Sequence, residues 1–236
     1  MQEKKLFRAE QLRIRAEYDR REVEIEPDLY APWQSSEILM TSERKRVAST
    51  LLNQLGRFPR PGDRCLEVGY GKLGWLADMI SWGLRETDLY GIELDPKRAE
   101  QARRALPGAN LEIGDATQLP WNDEFFDFVI VSTVLSSILN HEVRKAVADE
   151  IGRVLPSGGV VILYDAAVNN PKNQNLLHVR RKEIKTLFPH FSCRFQSTTL
   201  APPVARFVST RSWVLATILS GIPLLRTHFV CILVKL

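Results

Sequence analysis

The feature that most constrains this chain is the segment Cys65–Leu76, whose sequence is CLEVGYGKLGWL. A short apolar run, interrupted by Glu67, leads into a glycine-rich turn, and a helical pattern follows from Leu73 to Trp82. Glycine allows the backbone to turn sharply and lets a ligand approach it closely. In a parallel α/β sheet such a turn lies at the edge where ligands bind. The segment therefore predicts the first strand, turn and helix of such a sheet.

Apolar runs alternate with helical patterns along the rest of the chain. We predict strands at 64–68, 89–94, 111–113, 126–131, 160–164, 191–199 and 228–234. We predict helices at 73–82, 95–106, 141–155, 179–188 and 204–219. Strands that alternate with helices imply right-handed crossovers and a sheet covered on both faces. The expected fold is therefore α/β: a Rossmann-like, doubly wound, seven-stranded sheet, mostly parallel, with an antiparallel last strand.

The N-terminal quarter of the chain has a different pattern. Helix formers of mixed charge run from Lys4 to Arg21, and a second, longer helix is expected between Ser35 and Gly56. Proline and glycine at 59–62 then mark a boundary before the first strand. We expect residues 1–60 to form a helical arm and cap, and residues 61–236 to form one globular domain.

Composition excludes several classes of protein. The net charge is +4, without a run of five or six like charges, so nucleic-acid binding is not indicated. No apolar stretch reaches the ~20 residues needed to span a bilayer, which argues against stable membrane insertion. The three cysteines (Cys65, Cys193 and Cys231) are widely spaced, so we expect free thiols in the cytoplasm and no metal site.

Two cofactors compete for the glycine turn. Read literally, Gly69 to Gly74 matches G-x-G-x-x-G, which indicates a dinucleotide and an NAD-type oxidoreductase. Glu67 argues against this interpretation, because a carboxylate at the strand end would repel a pyrophosphate. The zwitterionic, sulfonium-bearing methionine moiety of S-adenosylmethionine (SAM) would tolerate that carboxylate.

Acidic residues follow the next two strands as well. Glu93 ends the second strand, where a carboxylate can accept hydrogen bonds from both ribose hydroxyls under either interpretation. Asp115 follows the third strand and can accept a hydrogen bond from an adenine amino group. Both residues therefore indicate an adenosine-containing ligand without deciding between the two cofactors.

Five short motifs occur in order between Arg64 and Tyr164: EVGYG, GIELDP, GDATQLP, FDFVIVS and RVLPSGG. Together they resemble the class I SAM-dependent methyltransferases of the methyltransferase-11 type. The resemblance implies a cofactor-binding set that comprises Glu67, Gly69, Gly71, Glu93, Leu94, Asp115, Ala116 and Ser132. One departure is that Leu73 stands where the family usually has a third glycine, and Gly74 follows it.

The resemblance implies a SAM-dependent methyltransferase that releases S-adenosylhomocysteine (SAH). The expected acceptor is a small molecule or a glycan, methylated at oxygen, and not a nucleic acid. An oxygen acceptor of high pKa needs a base, for which the candidates are Asp165, after the fifth strand, and His141, at a helix start. An NAD-type oxidoreductase and a non-catalytic SAM-binding module are the alternatives, and a homodimer is compatible with the sequence.

Overall fold

Seven strands form one sheet in the computed structural model, which describes residues 2–170 and 173–236. In chain order they are β1 (Cys65–Val68), β2 (Leu89–Glu93), β3 (Asn110–Ile113), β4 (Phe128–Ser132), β5 (Val160–Ala166), β6 (Phe191–Leu200) and β7 (Arg226–Lys235). Their spatial order is β3-β2-β1-β4-β5-β7-β6. β7 runs antiparallel to both β5 and β6, and the pairs among β1 to β5 are parallel. The predicted fold class is confirmed.

Helices cover both faces of the sheet. They are α1 (Gln2–Glu24), α2 (Ser35–Gln54), α3 (Leu76–Ser81), α4 (Pro96–Ala105), α5 (His141–Val154), α6 (Arg181–Leu187), α7 (Pro202–Ser209) and α8 (Trp213–Ser220). Apolar residues of α2, α3 and α4 pack on one face of the central strands. Apolar residues of α5 and α6 pack on the other face. β1, β4 and β5 are therefore enclosed on both sides, which explains their largely apolar sequences.

The C-terminal helical segment differs from the sequence prediction. We expected one helix over 204–219, but α7 ends at Ser209 and α8 begins at Trp213. The break follows from local hydrogen bonding, because the Ser212 hydroxyl accepts from the Leu215 amide and caps the second helix. Buried apolar residues of both short helices pack in one cluster with Leu39 and Met40 of α2.

The glycine turn also differs from the prediction, because α3 begins at Leu76 and not at Leu73. Before it, Gly74 has a φ of +52°, in the left-handed region. One carboxylate oxygen of the buried Glu67 accepts hydrogen bonds from the amides of Trp75 (2.7 Å) and Leu76 (3.1 Å). A Cβ on Gly74 would overlap that carboxylate. The position of the third glycine is thereby explained: it stands where the chain passes over the Glu67 side chain.

Replacement of this glycine tests the explanation. We expect Gly74→Ala to lower the free energy of unfolding by roughly 3 kcal/mol, since left-handed strain and displacement of a buried carboxylate add together. The matched control is Gly56→Ala, because Gly56 has a φ of +63° but open space where a Cβ would stand. Backbone strain alone should cost about 1 kcal/mol there. If urea denaturation showed that Gly74→Ala and Gly56→Ala lower the free energy of unfolding equally, the role assigned to Glu67 would be contradicted.

Candidate functional site

The carboxyl ends of β1, β2 and β3 open onto a cavity with about 600 Å³ of empty space. The sheet side of the cavity is formed by Val68, Gly69, Ile92, Glu93, Leu94, Gly114, Asp115, Ala116 and Thr117. The opposite side is formed by Glu10, Gln11, Ile14 and Tyr18 of α1 and by Val134, Ser137, Ile138, Val143 and Val147. Most of the lining residues are apolar, and Glu10, Glu93 and Asp115 contribute carboxylates.

Glu93 links the second strand to the glycine turn. One of its carboxylate oxygens accepts from the Gly71 amide at 2.7 Å, and the other accepts from the Asp95 amide at 2.9 Å. The side chain is 2% exposed, yet the residue borders the cavity. Each carboxylate oxygen has further lone pairs, so Glu93 can still accept from ribose hydroxyls.

Asp115 lies across the cavity, after β3. Its carboxylate accepts hydrogen bonds from the Thr117 amide (2.9 Å) and hydroxyl (2.7 Å). The Gln11 side-chain amide of α1 also donates to it. An adenine amino group would therefore bind to the same carboxylate as Gln11. No local sequence pattern indicates this contact, because 104 residues separate the two side chains.

α1 lies over the cavity and is held there by polar contacts at several points. Glu10 accepts from the Leu139 amide at 2.6 Å, and Arg15 donates to the Leu94 carbonyl at 3.0 Å. The guanidinium of Arg98 stacks on the Tyr18 ring at 4.2 Å from its centroid. The predicted solvated arm is thus a helix that closes one wall of the site.

Glu67, Gly71 and Ser132 were predicted to contact the cofactor, and none of them lines the cavity. Burial raises the pKa of Glu67 well above its usual value, although the Trp75 amide and Arg44 act in the opposite direction. The amides at the start of α3 are those that a pyrophosphate would use, and Glu67 occupies two of them. Gly71 donates to Glu93, and Ser132 accepts from the Trp75 indole N–H at 3.3 Å. These three residues support the loop from beneath.

The two predicted catalytic residues also lie outside the cavity. His141 is exposed at the first position of α5. Asp165 is fully buried, and its carboxylate accepts from the amides of Ser136 (3.1 Å) and Ala166 (2.8 Å). Burial raises the pKa of Asp165 to about 6, against the opposing effect of these hydrogen bonds. Neither placement favours the base role that the sequence suggested, and both roles stay predictions.

A group of titratable side chains meets at the same sheet edge, beside the turn, and we call it the edge cluster: Glu37, Arg44, Tyr164, Arg206 and His228. The Arg44 guanidinium stacks over the rings of Trp75 (5.0 Å) and Tyr164 (5.6 Å). Tyr164 and His228 stack in parallel at 5.1 Å. Burial, and then the charge of Arg44, lower the pKa of His228 to about 4, so its imidazole is neutral at pH 7.

Sequence reasoning missed most of the edge cluster. None of its five residues is among the predicted cofactor-binding or catalytic residues. No local signal was available, because α2, β5, α7 and β7 contribute these residues from 37 to 228 in the chain. Three of the cluster's buried polar atoms, Glu37 Oε1, Arg44 Nε and Arg206 Nε, have no hydrogen-bond partner among the described residues.

A second cavity, with about 670 Å³ of empty space, lies at the amino edge of the sheet beside Arg57, Asp63 and Asp127. Ligands of parallel sheets bind beyond the carboxyl ends of the strands, so the first cavity is the candidate cofactor site. Within residues 2–170 and 173–236, no group of three or more His, Cys, Asp and Glu could hold a metal ion. The same residues include no helix long and apolar enough to cross a membrane.

Comparison with known proteins identifies the domain. A family model described as a methyltransferase domain, methyltransferase-11, matches residues 66–163. Residues 66–163 are a class I SAM-dependent methyltransferase domain. A SAM-dependent methyltransferase from Methanosarcina mazei shares the fold, with a TM-score of 0.57 at 18% identity over 78% of this chain and 97% of that one. SAM is the cofactor of this domain class, and the family match favours SAM over the dinucleotide.

Two curated proteins are similar in sequence. The phthiotriol/phenolphthiotriol dimycocerosates methyltransferase of Mycobacterium leprae is 33% identical over 46% of this chain and 40% of its own length. The demethylmenaquinone methyltransferase of Renibacterium salmoninarum is 27% identical over 54% of this chain and 51% of its own length. The chain thus spans about half or less of the length of these relatives.

The residues at the carboxyl edge fit SAM. Glu93 and Asp115 offer carboxylate oxygens to the ribose and adenine, while Leu94 and Ala116 offer apolar contacts on the same side. When bound, SAM supplies an activated methyl group, and the chain holds and orients it.

The ribose role of Glu93 is tested by removing its carboxylate. We expect Glu93→Ala to weaken SAH binding about tenfold or more, because a charge-assisted hydrogen bond and the anchor of Gly71 are both lost. Isothermal titration calorimetry measures the change. Glu112→Ala is the matched control, since Glu112 is exposed on the neighbouring strand. This variant should bind SAH with the affinity of the wild type. Unchanged binding by Glu93→Ala would contradict the assignment.

The pKa of Asp165 predicts a pH dependence of stability. Between pH 4 and pH 6 the folded chain keeps the Asp165 proton that the unfolded chain releases, so this residue's contribution to stability falls as pH rises. Relative to Asp165→Asn, the wild type should therefore lose on the order of 2–3 kcal/mol across that range. The difference should stay constant above pH 7. Urea denaturation at several pH values measures both free energies of unfolding. A wild type that gains stability relative to Asp165→Asn as pH rises would refute the prediction.

Proposed function

We propose that this protein transfers the methyl group of SAM to an oxygen of a small-molecule acceptor that is largely apolar. The carrying observation is the cavity at the carboxyl ends of β1 to β3, where the motif residues Gly69, Glu93, Leu94 and Asp115 converge. Methyl transfer from a sulfonium is an in-line displacement, which requires mainly proximity and orientation from the protein. A cofactor cavity beside a second group of polar residues is consistent with two substrates that meet at one sheet edge.

The edge cluster supports the acceptor side of the proposal. The unpartnered buried atoms of Glu37, Arg44 and Arg206 offer both an acceptor and donors to a polar head group. The buried rings of Tyr164 and Trp75 pack against the Arg44 guanidinium beside these atoms. The neutral imidazole of His228 can accept a hydrogen bond from a hydroxyl, but a pKa of about 4 makes it a weak base. An acceptor with an acidic hydroxyl, such as a phenol or an enol, suits this environment best.

The relatives favour an apolar acceptor over a glycan. The names of the two similar methyltransferases specify a dimycocerosate and demethylmenaquinone as their substrates. We extend to this chain only the shared property of a large apolar part. The sequence also allowed a glycan acceptor. Only the polar atoms of the edge cluster favour a glycan.

Ligand binding tests the cofactor part of the proposal. SAM and SAH should each raise the melting temperature, because a ligand at a hundred times its Kd adds roughly 2.7 kcal/mol of stability. NADH should leave the melting curve unchanged. A shift with NADH and none with SAM would overturn the proposal.

Turnover with methyl-labelled SAM tests the acceptor part. We expect label to pass into an organic extract when phenolic or quinol lipids are offered, and not into oligosaccharides. The variant Glu93→Ala should reduce the rate at subsaturating SAM. Label in the saccharide fraction would contradict the apolar acceptor, and SAH binding without turnover on any acceptor would indicate a non-catalytic SAM-binding module.

A further inference from the structure

The connection between β6 and β7 carries an exposed apolar surface. We call it the apolar face and define it as Phe207, Trp213, Val214, Leu215, Ile218, Ile222 and Leu224. Each of these side chains has at least 40% of its surface exposed, and Leu224 has 95% exposed. Single exposed apolar residues are common, but seven within eighteen positions mark an interaction surface.

The outward side of α8 shows how unusual this surface is. Ala216 and Ser220 face the interior, while Val214, Leu215 and Ile218 face solvent. A surface helix normally places its polar and charged residues on the solvent side. α8 contains no charged residue at all. Its outward side is therefore suited to a second apolar environment.

The segment that carries the apolar face has basic but no acidic residues, although Glu43 of the neighbouring helix α2 lines the same groove as Trp213. From Ile184 to the C-terminus the chain has no Asp or Glu, and its Lys and Arg residues are Lys185, Arg194, Arg206, Arg211, Arg226 and Lys235. The exposed Arg211 stacks its guanidinium on the Phe207 ring, 3.9 Å from the centroid, within the face itself. Arg226 donates to the Ser220 carbonyl at the end of α8. An apolar surface bordered by arginines is complementary to anionic lipid head groups over acyl chains.

The apolar face also stands at the edge of the sheet where the reaction would occur. β6 ends at Leu200 and β7 begins at Arg226, and both positions lie beside the carboxyl end of β5. α7 reaches the edge cluster through Arg206, whose guanidinium stacks on the Tyr30 ring at 5.3 Å. A partner bound to the apolar face would thus lie near the edge cluster, where the proposed acceptor binds.

We propose that the apolar face docks the protein on the surface of an anionic lipid bilayer. α7 and α8 lie in the interface, with Trp213 at the level of the head groups and Arg211 on lipid phosphates. This binding does not require SAM or an acceptor. Where the proposed function holds, it also gives the source of the acceptor, which would be drawn from the membrane.

Vesicle flotation with the full chain tests the docking. We expect the protein to float with vesicles of phosphatidylcholine and phosphatidylglycerol, to bind vesicles of phosphatidylcholine alone far less, and to dissociate from the anionic vesicles as salt is raised. Ile218→Glu should lower the bound fraction about tenfold, since it places a carboxylate against anionic lipid. Arg211→Glu should do the same without altering an apolar side chain.

Leu236→Glu is the matched control. Leu236 is 75% exposed and apolar, but it follows β7 at the opposite edge of the sheet. This variant should float as the wild type does, and all three variants should keep the wild-type melting temperature and SAH affinity. Loss of flotation in Leu236→Glu as well would overturn the proposal.

Two further results would overturn it. One is the absence of flotation with anionic vesicles in the wild type. The other is a wild-type dimer in sedimentation velocity that becomes monomeric in Ile218→Glu, without vesicle binding, which would show that a second copy covers the apolar face. These outcomes are independent of turnover, so failure of the docking and failure of the proposed methyl transfer are distinguishable.

Discussion

Two buried carboxylates hold the glycine turn, and the rest of the site depends on them. Glu67 accepts from the Trp75 and Leu76 amides, and Glu93 accepts from the Gly71 and Asp95 amides. A buried carboxylate is costly unless hydrogen bonds compensate for the lost water, and the turn supplies these donors. The arrangement fixes where α3 begins and blocks the amides that a pyrophosphate would need. It also leaves the Glu93 side of the turn facing the cofactor cavity.

The two sides of the site are joined by residues from distant parts of the chain. Arg44 of α2 stacks on Trp75, next to the turn, and on Tyr164, in the edge cluster. α1 closes the cofactor cavity through Gln11 on Asp115 and Arg15 on the Leu94 carbonyl. The N-terminal helices thus contribute to both the candidate cofactor cavity and the edge cluster, although the family match begins at residue 66.

Sequence patterns predicted the strands well because the central strands are buried on both faces, and burial requires continuous apolar runs. The same logic located Gly69, Glu93, Leu94, Asp115 and Ala116 on the cavity, since residues just after parallel strands share one edge. Three other predicted cofactor residues do not line the cavity, and their cofactor roles stay predictions. Glu67 accepts from the Trp75 and Leu76 amides, the Gly71 amide donates to Glu93, and Ser132 accepts from the Trp75 indole N–H, so all three support the turn. A spacing rule cannot distinguish residues that line the cavity from residues that support the turn.

The sequence by itself determined the α/β class, the strand positions and the edge of the sheet that carries the candidate cofactor cavity, because these follow from local hydrophobicity and from the turn chemistry of glycine. Tertiary structure decided why Gly74 replaces the usual third glycine, since only the folded chain brings the Glu67 carboxylate against it. It also decided the edge cluster and the wall that α1 builds over the cavity. Those features arise from contacts between residues about thirty to more than a hundred positions apart, and no local pattern encodes them.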